Sequence, residues 1–148
     1  MNEIILQVST LEKSSGTNTN YSFNPFLLPS NFKLGDVVEL ELTDYYFNHN
    51  TNTQTEDVDM GIEMNANGLQ LEQIIIGPNY NSSWVHINIH RNHGNWMFRT
   101  FFDTVKYKCV LTDEYLQFNF RTVNLIREQI NDNNMGDQFI HLKLKKIN

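Results

Sequence analysis

Strict alternation of apolar and polar residues is the feature that most limits this chain. Val58, Met60, Ile62 and Met64 take turns with Asp57, Asp59, Gly61 and Glu63, and a period of two marks a strand with one buried face. Four apolar side chains then share one face and three carboxylates the other. The pattern recurs. Ile4, Leu6 and Val8 alternate near the start; Val38, Leu40 and Leu42 alternate with Glu39, Glu41 and Thr43; Val85, Ile87 and Ile89 with His86, Asn88 and His90. Leu116, Phe118 and Phe120 follow, and Ile140, Leu142 and Leu144 alternate with His141, Lys143 and Lys145.

The stretch from Trp96 to Leu111 is too long for one ordinary strand, so a break is expected near Asp103-Thr104. Thr112-Asp113 joins two runs of strong β-formers, Lys106 to Leu111 and Tyr115 to Phe120, and reads as a tight hairpin. Turn chemistry sits at Asn18-Thr19-Asn20, Pro25 to Pro29, Gly77-Pro78-Asn79, His93-Gly94-Asn95 and Asn133 to Gly136. Asn48 to Thr55 reads as one exposed loop. One segment departs from period two: Val123, Ile126 and Ile130 fall at i, i+3 and i+7, which allows a short helix capped by Asn124 or Thr122.

A chain of 148 residues is one domain's worth. With 40% hydrophobic residues, ten Phe, six Tyr and two Trp, it has the apolar surface to fold. Many strands and almost no helix in one domain leave a two-sheet sandwich or a closed barrel. The long connections 48–55 and 121–137 suit the crossovers of a Greek key or jelly roll. The expected fold is therefore all-β: a single jelly-roll β-sandwich over 1–148, with about eight to ten antiparallel strands and at most one short helix.

Eleven Lys and Arg against seventeen Asp and Glu give a formal charge of −6, which repels phosphate backbones and anionic headgroups. Direct nucleic-acid binding is not expected. The single cysteine, Cys109, excludes an intrachain disulfide and lies on the apolar face of a strand-like run, so a buried, inert thiol is expected. No apolar stretch approaches the roughly 20 residues that span a bilayer, and Met1-Asn2-Glu3 lacks the basic start of a secretion signal. The expected site of synthesis is the cytoplasm.

The histidines His86, His90 and His93 crowd together, but residues four apart on a strand are separated by about 13 Å, too far to share one ion about 2 Å from each. His90 and His93 could meet across a turn, where Asn92 and Asn95 point to ordinary loop polarity. Asp57 to Gly61 alternates like a strand rather than curling as a calcium loop does. Asp132 to Asp137 is a richer oxygen donor, read as a polar turn around Gly136. No nucleophile elbow or glycine-rich phosphate loop occurs, and Glu39 and Glu41 read as a solvated pair on one strand face. The reading is not an enzyme, with no metal and no cofactor.

Tyr80, Trp84 and Trp96 flank the histidine strand, and exposed aromatics on a sandwich can stack on sugar rings. That supports an alternative, a carbohydrate- or receptor-binding β-sandwich; a jelly-roll enzyme of cupin type using His86, His90 or His93 is a lesser one. Lys143, Lys145 and Lys146 form a basic end that could meet an acidic partner or block strand pairing at an edge.

The stretch Asn20-Tyr21-Ser22-Phe23-Asn24-Pro25, followed by Lys33-Leu34-Gly35-Asp36-Val37-Val38-Glu39-Leu40-Glu41-Leu42, resembles the opening of single jelly-roll minor capsid or penton proteins of tailless icosahedral DNA viruses. Phe139-Ile140-His141-Leu142-Lys143-Leu144 resembles the last strand of that family. The resemblance implies a structural virion protein at a capsid vertex, a homopentamer surrounded by the major capsid protein, with a spike or fibre protein as a further partner. Interface anchors are then expected among aromatics facing away from the core. Continued alternation from Val38, Leu40 and Leu42 points Tyr45 and Phe47 outward, and Trp84 lies opposite Val85, Ile87 and Ile89.

Overall fold

A computed structural model describes residues 2–49, 58–71, 85–91, 96–124, 126–129 and 135–147, with the backbone alone over 47–49, 58–60, 85–91, 96–105 and at Met135. The described chain is almost entirely strand. In order come β1 (Glu3–Ser9), a single 3-10 turn (Thr10–Glu12), β2 (Ser15–Thr17), β3 (Asn20–Ser22), β4 (Phe26–Leu27) and β5 (Val37–His49). Then follow β6 (Val58–Asn67), β7 (Leu69–Leu71), β8 (Val85–Arg91), β9 (Trp96–Leu111), β10 (Tyr115–Val123) and β11 (Met135–Lys146).

Two antiparallel sheets pack as a sandwich. The first has the order β1-β11-β5-β9-β7 and the second β2-β3-β10-β6-β8, with β4 also paired to β10. Numbering the eight principal strands β1, β3, β5, β6, β8, β9, β10 and β11 as 1 to 8 makes the sheets 1-8-3-6 and 2-7-4-5. That interleaving of two Greek keys is a jelly roll. The expected fold class is what the structure shows.

The alternation works as the pleat requires. Leu40 and Leu42 of β5, Ile62 and Met64 of β6, Phe118 and Phe120 of β10, and Ile140, Leu142 and Leu144 of β11 all lie in one core between the sheets. Aromatic rings fill its centre: Tyr21 stacks on Phe120 at 5.2 Å between centroids, and Phe23 meets both edge-on. Burying each large side chain contributes roughly 1.5–3 kcal/mol. Cys109 is buried among them and forms no disulfide.

Three local expectations are corrected. Thr112-Asp113 is not a hairpin turn, because β9 and β10 belong to different sheets. There the chain crosses the sandwich, held by Leu111 N–H donating to Asp36 O and Thr112 N–H donating to Gly68 O, both 2.9 Å. Gly68 itself, at φ 97°, switches the chain from β6 to β7, and a Cβ there would sit 2.5 Å from Tyr115 O. Secondly, β9 runs unbroken through Asp103-Thr104. Its irregularity is in the pairing: Val105 lies opposite Leu42 but Thr100 opposite Asp44, so four residues of β9 face one of β5.

Thirdly, the described residues of 123–130 form no helix. Val123 ends β10 and bridges Gln129, while Asn124 Oδ1 accepts from Ile126 N–H and Glu128 N–H. An asparagine side chain that captures nearby amides in this way competes with helix formation. The short helical turn lies instead at Thr10–Glu12. Of the turns and loops named from sequence, Gly77-Pro78-Asn79, His93-Gly94-Asn95, Asn50 to Thr55 and Asn133-Asn134 lie outside the described residues, whereas Asn48 and His49 end β5 and Met135 and Gly136 begin β11.

Candidate interaction surface

The outer face of the first sheet is built from rows of residues in register across four strands. One row runs Glu3, Lys145, Glu39, Lys108; the next runs Ile5, Lys143, Glu41, Lys106. Acidic and basic strands thus alternate: β1 acidic, β11 basic, β5 acidic, β9 basic. Diagonal ion pairs tie the rows together, Lys143 to Glu3 at 3.7 Å and Lys106 to Glu39 at 3.6 Å. His141 Nδ1 lies 3.5 Å from Asp44. Opposite charges on neighbouring strands each contribute only a few tenths of a kcal/mol to about 1 kcal/mol, but together they specify which strand sits beside which.

Two sequence readings change here. β11 is an inner strand between β1 and β5, so Lys143 and Lys145 guard no edge. Glu39 and Glu41 do share a face, yet Glu41 is buried among the lysine rows rather than solvated. Lys146, opposite Val38 in register, reaches the turn that precedes β5, 2.9 Å from Asp36, whose carboxyl also accepts from Lys33 N–H at 2.8 Å. The hydrogen bond from Lys146, followed by that from Lys33, holds the Asp36 carboxyl below its ordinary pKa.

Beyond the charged rows the face becomes aromatic. Phe139 lies opposite both Ser9 and Tyr46, and the Tyr46 and Phe139 rings are 5.8 Å apart at 46°. Phe139 is 38% exposed. Tyr45, expected to face outward, is instead fully buried in the core. The cause is a β-bulge. Asp44 pairs with His141 and Leu42 with Leu142, leaving Thr43 as an extra residue with its hydroxyl on His141 O. One extra residue reverses the alternation, so Tyr45 joins Leu42 inside and Tyr46 takes the outer position. Phe47 pairs through its backbone with Gln138 and Met97, but its side chain lies outside the described residues, as does Trp84 altogether.

Tyr45 enters a buried polar network at one end of the sandwich. Tyr21 and Tyr45 hydroxyls both donate to Gln138 Oε1, at 2.6 and 3.0 Å, and Gln138 Nε2 donates to Asn18 O. Gln138 N–H donates to Thr10 Oγ1, which donates in turn to Asp137 Oδ1. Burial pushes both phenols well above their ordinary pKa, with Tyr21 adding a smaller push on Tyr45. They remain protonated donors, and the network is structural.

A second charged centre lies on the outer side of the other sheet, missed because Glu63 reads as an ordinary outward carboxylate. It is fully buried. Arg121, directly opposite on β10, donates to Glu63 Oε1 through Nε at 2.8 Å, and Arg127 pairs with Oε2. Arg127 adopts φ 64°, a left-handed conformation uncommon for a non-glycine residue, on the segment that folds back through the Val123–Gln129 bridge.

The histidine strand is confirmed as backbone: His86 pairs with Glu63 and His90 with Asp59 in β8. His93, Tyr80 and residues 132–134 lie outside the described residues. Among the described residues, no group of three or more His, Cys, Asp and Glu is placed to hold a metal ion, and no helix is long and apolar enough to cross a membrane. No protein-family model matches the chain, and no curated protein or solved structure matches it.

Proposed function

We propose that this chain is a structural virion protein, a capsid vertex (penton) subunit that assembles as a pentamer beside the major capsid protein, with a spike or fibre protein as a further partner. It acts in the capsid, after synthesis in the host cytoplasm, and not as an enzyme. The observation that carries this reading is the single jelly roll in its full 1-8-3-6 and 2-7-4-5 order. A fold alone hosts many functions, and the resemblance at residues 20–25, 33–42 and 139–144 is what directs this one toward a vertex.

A ring of five joins two different surfaces of each subunit around a closed axis. The outer face of the first sheet supplies one such surface, with Tyr46 and Phe139 as aromatic anchors beside rows of fixed charge. Trp84 stays in the proposal as an anchor read from sequence; the register shift that turns Tyr45 inward removes the ground for expecting Phe47 to face outward. Particle reconstruction or subunit stoichiometry tests it: five copies at each vertex are expected. A protein missing from particles, or a free monomer that binds sugars on a glycan array, would give the carbohydrate-binding alternative instead.

A further inference from the structure

The two sheets end in four strands, β1 and β7 in one, β2 and β8 in the other. An edge strand carries a row of unpaired amides and carbonyls, and proteins blunt such rows with short strands, lysine, proline or bulges. β7 and β2 are three residues long. β8 carries His86, His90 and Arg91. β1 is seven residues long and carries one charge, Glu3, at its start. Its sequence Glu-Ile-Ile-Leu-Gln-Val-Ser contains neither lysine nor proline, and its seven residues pair with β11 without a register shift. Among the described residues no strand pairs with its other edge.

Beside that edge the sandwich is open. A groove of about 180 Å³ is lined by Leu6 and Val8 of β1, by Phe23, Phe26 and Phe118 across the core, and by Glu12. On the outer face Ile5 is 68% exposed. An extended segment laid against β1 would therefore meet apolar surface on its inner side at every second residue. Its other side would meet Glu3 and Ile5, at the end of a sheet whose strands alternate in charge. The alternation runs basic, acidic, basic, acidic from β9 to β1, and the next strand in that series is basic.

We propose that the free edge of β1 is a docking strand for a segment of a partner chain whose residues alternate between apolar and basic. The segment adds a sixth strand to the first sheet through main-chain hydrogen bonds, with side-chain pockets and Glu3 and Glu12 setting its pattern. This inference concerns a strand edge and stands apart from the vertex reading.

The chain already contains a strand of this chemistry, so a capped peptide with the sequence of Phe139–Lys145 is a defined probe. Fluorescence anisotropy and amide hydrogen exchange on the full-length protein test it. Binding with slowed exchange in β1 is expected. A second peptide with glutamate at its three basic positions should bind at least tenfold more weakly, as should the first peptide to Ile5→Lys. Leu34→Lys, on the turn before β5 and 60% exposed, lies outside the β1 edge and its groove and should bind it normally. No protection of β1, equal binding of both peptides, or faster exchange in β11 from displacement of the native strand would each overturn the proposal. So would a free protein that is already a dimer with β1 protected, which makes a second copy the occupant.

Discussion

Glu63 and Glu39 illustrate how far one residue's neighbours in sequence describe its surroundings. Both alternate with core residues, yet Glu39 faces lysines near the surface while Glu63 is sealed beneath Arg121 and Arg127. The two arginines come from 58 and 64 positions away, so nothing near Glu63 announces them. A buried carboxylate that holds two guanidiniums is costly to remove, because both cations lose their counter-charge where water cannot replace it. Glu63→Gln should lower stability by about 3–5 kcal/mol in urea unfolding, while Glu39→Gln should cost less than about 1 kcal/mol, as exposed pairs do. Equal effects would mean that Glu63 is solvated after all. The tolerance that alternation alone implies for Glu63 is thus reversed.

At the scale of elements, the decisive feature is the bulge in β5. From Val38 to Leu42 the strand follows its sequence pattern, and with one residue inserted at Thr43 the side chains of Asp44, Tyr45 and Tyr46 change face. Tyr45 then fills the core and reaches Gln138, whereas Tyr46 packs on Phe139 outside. Tyr45→Ala should therefore cost about 3–5 kcal/mol, in the range of buried aromatic truncations, and Tyr46→Ala should cost much less. Thermal or denaturant unfolding of the pair checks the assignment, and the opposite order would remove the bulge from the description. The strand itself was legible from Val38, Leu40 and Leu42. The bulge was not, since it answers to the register of β9 and β11 rather than to any signal in Leu-Thr-Asp-Tyr.

Over the whole molecule, residues from both sheets meet in one core, so damage to either should unfold both. Leu40→Asp in the first sheet and Ile62→Asp or Phe118→Asp in the second each place an unpaired charge among fully buried side chains. Loss of the cooperative transition by circular dichroism is expected for all three; survival of one sheet without the other would contradict a shared core. Period-two alternation was enough to read strands, their buried faces, and a two-layer all-β class, because the pleat is a local property of the backbone that each segment carries alone. Partner choice is not local. β1 pairs with β11 through Glu3 and Lys145, at opposite ends of the chain, and Thr112-Asp113 crosses between sheets although its flanks look like a hairpin. Strand order, the bulge at Thr43 and the burial of Glu63 were settled only when distant segments competed for the same core and the same hydrogen bonds, a competition that no single stretch of sequence encodes.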